Sequence, residues 1–448
     1  FLLDFDKKFP NVKTILMNDN YRSSPEILAA ANFLIAKNKN RFNKNLIAHR
    51  PSGPKVTCFM GKTAGEEADR VAKEIIELHK KGVPYKDITL LYRAHYVTRN
   101  LEEKLLKKKI PYTIYSGTQF FGRMEIKDAL CYLRMIVSQD DMAFRRIINK
   151  PKRNIGQRRM EFLTNYASEN GCTLFEALRK NVEEPTLKRT GAADFIELID
   201  TFAKDSEGKP VSEVLSAILD ESGYEKMLRT EGSQERLDNL AELKQSVFEY
   251  ETTCGEETNI VHYLEHAALF SSMDTGEGQD KVKLMTVHTA KGLEFPYVFI
   301  CGMNEGIFPS RKTRTVNGME EERRLAFVAM TRAEKALYIT EAGGANLDGS
   351  PRYPSRFILD IDRDKLEFDS PVDEQLMKET MVYVGRSTAF LQEDKDETTM
   401  EAGTRVRHPV FGPGTIVEVD GSAHAYLIKF DSMPTMRQIS FHARLFKL

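Results

Sequence analysis

The order in which two hydrophobic periods occur along this chain restricts what it can fold into. Up to about residue 115 the sequence alternates short apolar runs with amphipathic stretches. Strands are expected at Val12–Leu16, Lys55–Met60, Asp87–Tyr92 and Tyr112–Tyr115, with helices at Pro25 to about Lys37, Glu66–Lys80 and Asn100–Lys109 between them. Ser24 suits the N-cap of the first helix and Pro25 its first position, where a missing N–H costs nothing. From roughly Glu125 to Ser271 the period is almost wholly helical, with apolar residues three and four apart. Strand patterns return at Val282–Val287, Tyr297–Cys301 and Ala336–Thr340, with a helix at Glu320–Ala333. Strand–helix alternation implies a parallel sheet covered by helices. The economical reading is one α/β domain, residues 1–115 and 280–375, interrupted by a helical subdomain at 116–279. A linker is expected at 376–402, where Gln392–Glu401 is rich in Asp, Glu, Lys and Thr. A small β-barrel is expected at 403–448, where short strands and glycine turns replace the helical period.

At 448 residues the chain exceeds the usual size of one domain, in keeping with that division. No apolar run is long enough to span a bilayer, which excludes a membrane-embedded role for helices here. The first residues, Phe1-Leu2-Leu3-Asp4-Phe5-Asp6, have no basic region before their apolar ones, so they are no signal peptide; they read like the middle of a helix belonging to an upstream domain. The cysteines at 58, 131, 172, 254 and 301 are odd in number, scattered and without a CxxC pair. A disulfide framework and a metal site are therefore not expected, and a reducing cytoplasm is the simplest home. A net charge of −1 does not advertise nucleic-acid binding, but local charge is what matters for it.

Three segments carry chemistry. Met285-Thr286-Val287-His288-Thr289-Ala290-Lys291-Gly292-Leu293-Glu294-Phe295 leaves a strand, turns through Lys-Gly and enters a second strand; residues after parallel strands line ligand crevices. Taken alone, His288 reads as a satisfied structural histidine and Glu294 as a solvated loop charge. Glu320-Glu321-Glu322-Arg323-Arg324-Leu325-Ala326-Phe327-Val328-Ala329-Met330-Thr331-Arg332-Ala333 has an acidic start and a basic end that suit a helix dipole. Arg332 follows a mostly apolar stretch and is harder to explain structurally; arginine pairs bidentately with phosphate oxygens. Asn20-Tyr21-Arg22-Ser23-Ser24-Pro25 puts an aromatic and an arginine beside a helix N-terminus, a place that attracts anions. A phosphate loop is not expected. Gly61-Lys62-Thr63 lies between a strand and a helix, but the glycine needed five residues earlier is Val56, and Gly53 is too far upstream.

Together, in this order, these segments resemble the later motifs of superfamily 1 helicases of the UvrD/PcrA/Rep type. Leu91-Tyr92-Arg93, Phe120-Phe121-Gly122-Arg123-Met124-Glu125-Ile126-Lys127-Asp128 and Gly302-Met303-Asn304-Glu305-Gly306-Ile307-Phe308-Pro309 add to the likeness. The resemblance implies a RecA-like domain of the P-loop NTPase class without its own Walker A motif, in the C-terminal half of an ATP-dependent 3′–5′ DNA helicase acting in repair or replication. It implies that Tyr21 stacks on adenine, that Arg22 and Arg332 reach the γ-phosphate as catalytic residues, and that Glu294 contacts the ribose with Gly292 permitting the turn. His288, Arg93 and His95 are then expected to face single-stranded DNA, His95 standing where the family usually has asparagine. Pro151-Lys152-Arg153-Asn154-Ile155-Gly156 resembles the loop that grips duplex phosphates at the junction, with Asn154 replacing the first glycine. Around it Arg145, Arg146, Lys150, Arg158 and Arg159 add a basic run with no acid between them. ATP and magnesium are implied, magnesium being held mainly by the other half, and this chain alone is expected to be inactive. The stretch from Gly403 to Thr415 resembles a Tudor-like module associated with RNA polymerase. Two other readings stand beside this one: a non-catalytic module binding nucleic acid or RNA polymerase, and a helicase–nuclease.

Overall fold

Ile88–Tyr92 is buried along its whole length, as a strand with neighbours on both sides in a parallel sheet must be. It is the third of seven strands in the large sheet of the computed structural model, which describes residues 12–13, 15–42, 44–253, 258–272, 279–345, 349–391, 400–408, 411–420, 425–431, 433, 436–440 and 445–448. In chain order the first part contains β1 (Asp19–Asn20), α1 (Pro25–Ile35), β2 (Ile47–Ala48), β3 (Val56–Gly61), α2 (Ala64–Lys80), β4 (Ile88–Tyr92), α3 (Thr98–Lys107) and β5 (Tyr112–Ile114). Helices α4 (Met124–Val137), α5 (Asp141–Ile147), α6 (Gln157–Asn170), α7 (Leu174–Lys180), α8 (Ala192–Asp205), α9 (Val211–Glu221), α10 (Tyr224–Thr230), α11 (Gln234–Thr253) and α12 (Ile260–Ser272) follow. Then come β6 (Val282–Thr286), β7 (Phe295–Cys301), α13 (Val316–Met330), β8 (Ala333–Ala342), α14 (Arg356–Leu359), β9 (Leu366–Phe368) and α15 (Glu374–Ala389).

The seven-stranded sheet has the order β5-β6-β4-β7-β8-β3-β9, and every pairing is parallel. Strands from before and after the helical stretch therefore interleave, which makes the α/β class with a helical insertion a property of the sheet itself. The insertion shares one apolar core with the sheet's helices: Ala72, Ile75, Leu101 and Leu105 belong to the same buried cluster as Phe120, Phe144, Phe175, Phe195 and Phe270. One buried cation crosses the same boundary. Arg99 of α3 is 3% exposed. It pairs with Glu103 at 3.2 Å and with Glu242 and Glu249 of α11 at 2.7 and 2.5 Å.

The second compact unit holds β10 (Arg405–His408), β11 (Gly412–Asp420), β12 (Ala425–Phe430), β13 (Arg437–Ser440) and β14 (Phe446–Lys447) in an antiparallel sheet of order β13-β12-β11-β10-β14. Val406, Ile416, Tyr426, Ile428 and Phe430 form its core. Gly414 is required by packing, since a Cβ there would lie 2.8 Å from both Lys429 O and Phe430 Cδ1.

Several expectations need correction. Among the described residues of Val12–Leu16 there is no strand; Ile15 is 72% exposed and no partner strand lies alongside, so local β propensity has no ladder to join. The pairing occurs instead at β1 with β2. Ser24 occupies the N-cap position but makes no capping bond; its backbone N–H donates to Glu334 O, tying the turn to β8. Much of the expected linker at 376–402 is helix α15, while 392–399 lie outside the described residues. Strand β9 was not anticipated from the sequence, because three residues show no readable period.

At the end of β8 two carboxyl groups are buried together. Glu341 is 1% exposed and accepts from Asn304 Nδ2 at 3.1 Å, while Glu67 accepts from Gly302 N and Thr340 Oγ1. Burial, then the charge of Glu67, pushes the Glu341 carboxyl from 4.5 up to about 8. A raised acid binds its proton more tightly folded than unfolded, so its stabilising contribution is complete below 4.5 and is lost as pH rises towards about 8. The thermal midpoint is therefore expected to fall between pH 5 and pH 9. Glu341→Gln should flatten that slope and exceed the parent at pH 8.5 by on the order of 3 kcal/mol. Equal slopes for the two proteins would refute the assignment.

Candidate nucleotide and nucleic-acid site

The residues expected to face the nucleotide come together at one edge of the sheet. Asn20 Oδ1 accepts from the backbone N–H groups of Arg22 and Ser23 at 3.0 and 2.9 Å, a side-chain turn that fixes the loop after β1. Ser23 Oγ then donates to Ala333 O at 2.6 Å, so the loop is tied to the start of β8. This places Arg22 Nε 2.6 Å from Glu294 Oε2, and Arg22 Nη1 3.4 Å from Thr331 O. Arg332 is oriented by carbonyls, donating from Nε to Val328 O and from Nη1 to Leu293 O, each at 3.0 Å. Gly292 has a φ of +90°, the left-handed region open to glycine, and lets the chain turn before Glu294. Tyr21 is 71% exposed.

The electrostatics favour an anion here. Partial burial and the neighbouring Arg22 cation hold the Arg332 guanidinium below the usual arginine pKa, with Glu294 opposing them. The hydrogen bond and charge of Arg22 hold the Glu294 carboxyl low. Two adjacent guanidinium groups with one carboxylate between them suit a polyanion, which can take bidentate bonds from arginine. Arg22 and Glu294 are partly solvated, so their ion pair is worth no more than about 1 kcal/mol and is readily exchanged.

The segment from Met285 to Phe295 does not lie wholly at the strand C-termini, as its sequence suggested. His288 does, following β6, but Glu294 and Arg332 precede β7 and β8 and so sit at the opposite edge. Residues 287–294 cross the sheet between them, where parallel connections usually need a dozen or more. Backbone bonds from Ala290 to Thr286, Lys291 to His288 and Leu293 to Ala290 coil this short crossover.

At the far edge His288 is exposed, and its pKa is held below the usual histidine value by packing, then by Arg93, with Lys291 adding and Glu322 opposing. Arg93 is committed to Glu322 of α13, with Nη2 2.7 Å from Oε1 and Nε 3.1 Å from Oε2. An acid so distant in sequence gave no sign of this pairing. His95 is half-buried, its ring edge-on to Tyr92 and 3.0 Å from where a Cβ on Gly117 would stand. Burial, then the Arg123 cation, holds its pKa down.

The helical insertion divides its basic run. Lys152 and Arg158 are exposed, and Asn154 adopts φ +59°, the conformation its glycine counterpart would supply. Arg153, expected on DNA, turns inward instead. Its Nη1 donates to the carbonyls of Ile147, Ile148 and Pro151, its Nη2 bonds Tyr132 and Ser222, and it stacks on Phe195 at 4.9 Å. Arg146 and Lys150 pair with Asp128 of α4, which no spacing in the sequence revealed. Gly156 is the exposed N-cap of α6.

Gly61-Lys62-Thr63 opens α2 as a capped helix, Thr63 Oγ1 accepting from Glu66 N and the Glu66 carboxylate from Lys62 N. Among the described residues no group of three or more His, Cys, Asp or Glu is placed to hold a metal ion. No helix among them is long and apolar enough to cross a membrane.

Comparison with known proteins bears on the family of the chain. The model of the UvrD-like helicase C-terminal domain matches residues 15–343. The ATP-dependent DNA helicase PcrA of Staphylococcus aureus (strain Mu50) is 36% identical over 442 residues, 94% of this chain and 60% of that protein. PcrA of Staphylococcus epidermidis (strain RP62A) is 37% identical over 435 residues, with the same coverage of 94% and 60%. The chain thus spans about 60% of the length of the curated relatives it matches. A match across most of its sheet and all of its helical insertion assigns it: the chain belongs to the UvrD-like helicase C-terminal domain family.

Proposed function

We propose that this chain is the C-terminal portion of an ATP-dependent 3′–5′ DNA helicase acting in repair or replication. The observation that carries the reading is the cluster of Arg22, Glu294 and Arg332 at one sheet edge, joined by residues 287–294 to His288 at the other. Adenine stacks on the exposed face of Tyr21. The γ-phosphate takes Arg22 and Arg332, and Arg22 leaves Glu294 to meet the ribose. Loss of the γ-phosphate withdraws the anion holding the two arginines, and the crossover carries that change to the strand-contacting edge at His288, beside Arg93 and His95. The phosphate loop and the magnesium ligands belong to another part of the longer protein. Cysteines 58, 131, 172 and 301 are free thiols, which suits a reducing cytoplasm. Residues 403–448 serve as a protein-binding module, RNA polymerase being the partner the resemblance names.

The duplex-gripping surface is Lys152, Asn154, Gly156 and Arg158, without Arg153. Each phosphate that a cation neutralises contributes roughly 0.9 to the steepness of log K against log salt. Lys152→Ala with Arg158→Ala is therefore expected to reduce the slope for duplex-junction DNA by roughly 2. Titrations between 50 and 200 mM salt, roughly the range in which such slopes are read, would show it. An unchanged slope would remove this surface from the interface. The function itself is tested by DNA-stimulated ATP hydrolysis: the longer protein is expected to hydrolyse ATP and this chain alone to be inactive. A longer protein that bound DNA without hydrolysing ATP would favour a non-catalytic binding module.

A further inference from the structure

Beside the nucleotide edge lies an aromatic contact that the roles above do not use. Strands β1 and β2 pair in parallel, with Asp19 opposite Ile47 and Asn20 opposite Ala48. His49 N donates to Asn20 O at 2.9 Å, so the register carried one residue further sets His49 beside Tyr21. Their rings stack, with centroids 4.7 Å apart and planes 19° from parallel. Asp19 and Tyr21 are two residues apart and share a face in an extended chain. His49 lies between them, with Nε2 2.7 Å from Asp19 Oδ1. The carboxylate fixes the imidazole plane, and the imidazole covers one face of a tyrosine that is otherwise 71% exposed.

We infer that His49, held by Asp19, is a positioning residue for nucleotide binding: it backs the Tyr21 ring so that a purine base completes a three-ring stack. The inference rests on the proposed stacking of the base on Tyr21. A tyrosine this exposed would otherwise sample several rotamers and would have to be ordered each time a nucleotide bound. With one face already covered, the ring is held and its open face is presented to the base. The preference is for a flat, wide aromatic base, and nothing in the contact concerns the phosphates.

The test is steady-state ATP hydrolysis by the longer protein at saturating single-stranded DNA, with ribose 5′-triphosphate as a base-free competitor. His49→Ala is expected to raise KM for ATP roughly three- to ten-fold, the range of one aromatic face contact, with little change in kcat. The inhibition constant of ribose 5′-triphosphate should not move. His49→Phe should recover most of the loss, because it restores the stacking face without the hydrogen bond. Tyr21→Ala is run alongside. If Tyr21→Ala raises KM and His49→Ala does not, the inference is overturned and the nucleotide site stands. If His49→Ala weakens both ligands equally, the residue maintains the loop rather than the stack, and the inference is again overturned. If Tyr21→Ala leaves KM unchanged, the stacking site itself is misplaced and the inference falls with it.

Discussion

Arg332→Ala in the longer protein is expected to lower DNA-stimulated ATP hydrolysis by roughly 10³- to 10⁵-fold, the usual worth of an arginine that neutralises charge in phosphoryl transfer. The expectation rests on how the side chain is held. Its Nε and Nη1 donate to Val328 O and Leu293 O, so the guanidinium is aimed before any nucleotide arrives. A preorganised cation stabilises developing charge without reorganising at the moment of reaction. Arg332→Lys should recover little, since a point charge on a flexible stem cannot make both the orienting bonds and a bidentate phosphate contact. Nucleotide affinity, measured with a non-hydrolysable analogue, should fall much less than kcat. Hydrolysis within ten-fold of the parent for Arg332→Ala would remove the residue from the reaction.

The second large effect concerns stability. Arg99→Met is expected to destabilise this chain by about 3 kcal/mol, because it leaves three partly buried carboxylates without their buried cation. Glu103, Glu242 and Glu249 all converge on that one guanidinium. Burial already pushes the Glu242 carboxyl up, and the Arg99 charge is the main opposing influence. Removing the arginine lets Glu242 take up a proton more readily, so the loss should shrink as pH is lowered towards 5. Urea unfolding at two pH values would measure both the loss and its pH dependence. A loss below about 1 kcal/mol at neutral pH would show that the three acids find water or other partners when the cation is gone.

The sheet and the insertion were legible because their signals are local and long. The apolar run at Ile88–Tyr92 and the sustained helical period after Glu125 leave few alternatives. The residues proposed to face the nucleotide stood out as motifs, though which edge of the sheet each occupies did not. A motif read as one loop hides the fact that residues 287–294 traverse the sheet. The errors have a common physical cause, which is partners distant in sequence. The basic run at 145–159 holds no acid, yet Asp128 neutralises two of its members from another helix. Arg153 looks like a surface cation until the carbonyls at a helix end and the Phe195 ring claim it. Val12–Leu16 has strand propensity, yet its described residues have no neighbour among the described residues to pair with. His49 carried no signal, because its significance is a register between two-residue strands.

The interleaved strand order also has a consequence for how the molecule is made. Both neighbours of β4, the strands β6 and β7, are encoded after the whole helical insertion. As the chain emerges from the ribosome, the most buried strand has no partner until residues 282–301 have been synthesised. Helices form from local contacts and strands from distant ones, so the insertion can assemble while both edges of β4 wait. Unpaired strand edges at that stage invite association with other chains. The insertion, whose buried residues join those of β4 and helix α3 in one cluster, can offer the waiting strand and helix an apolar surface to rest against until the sheet closes.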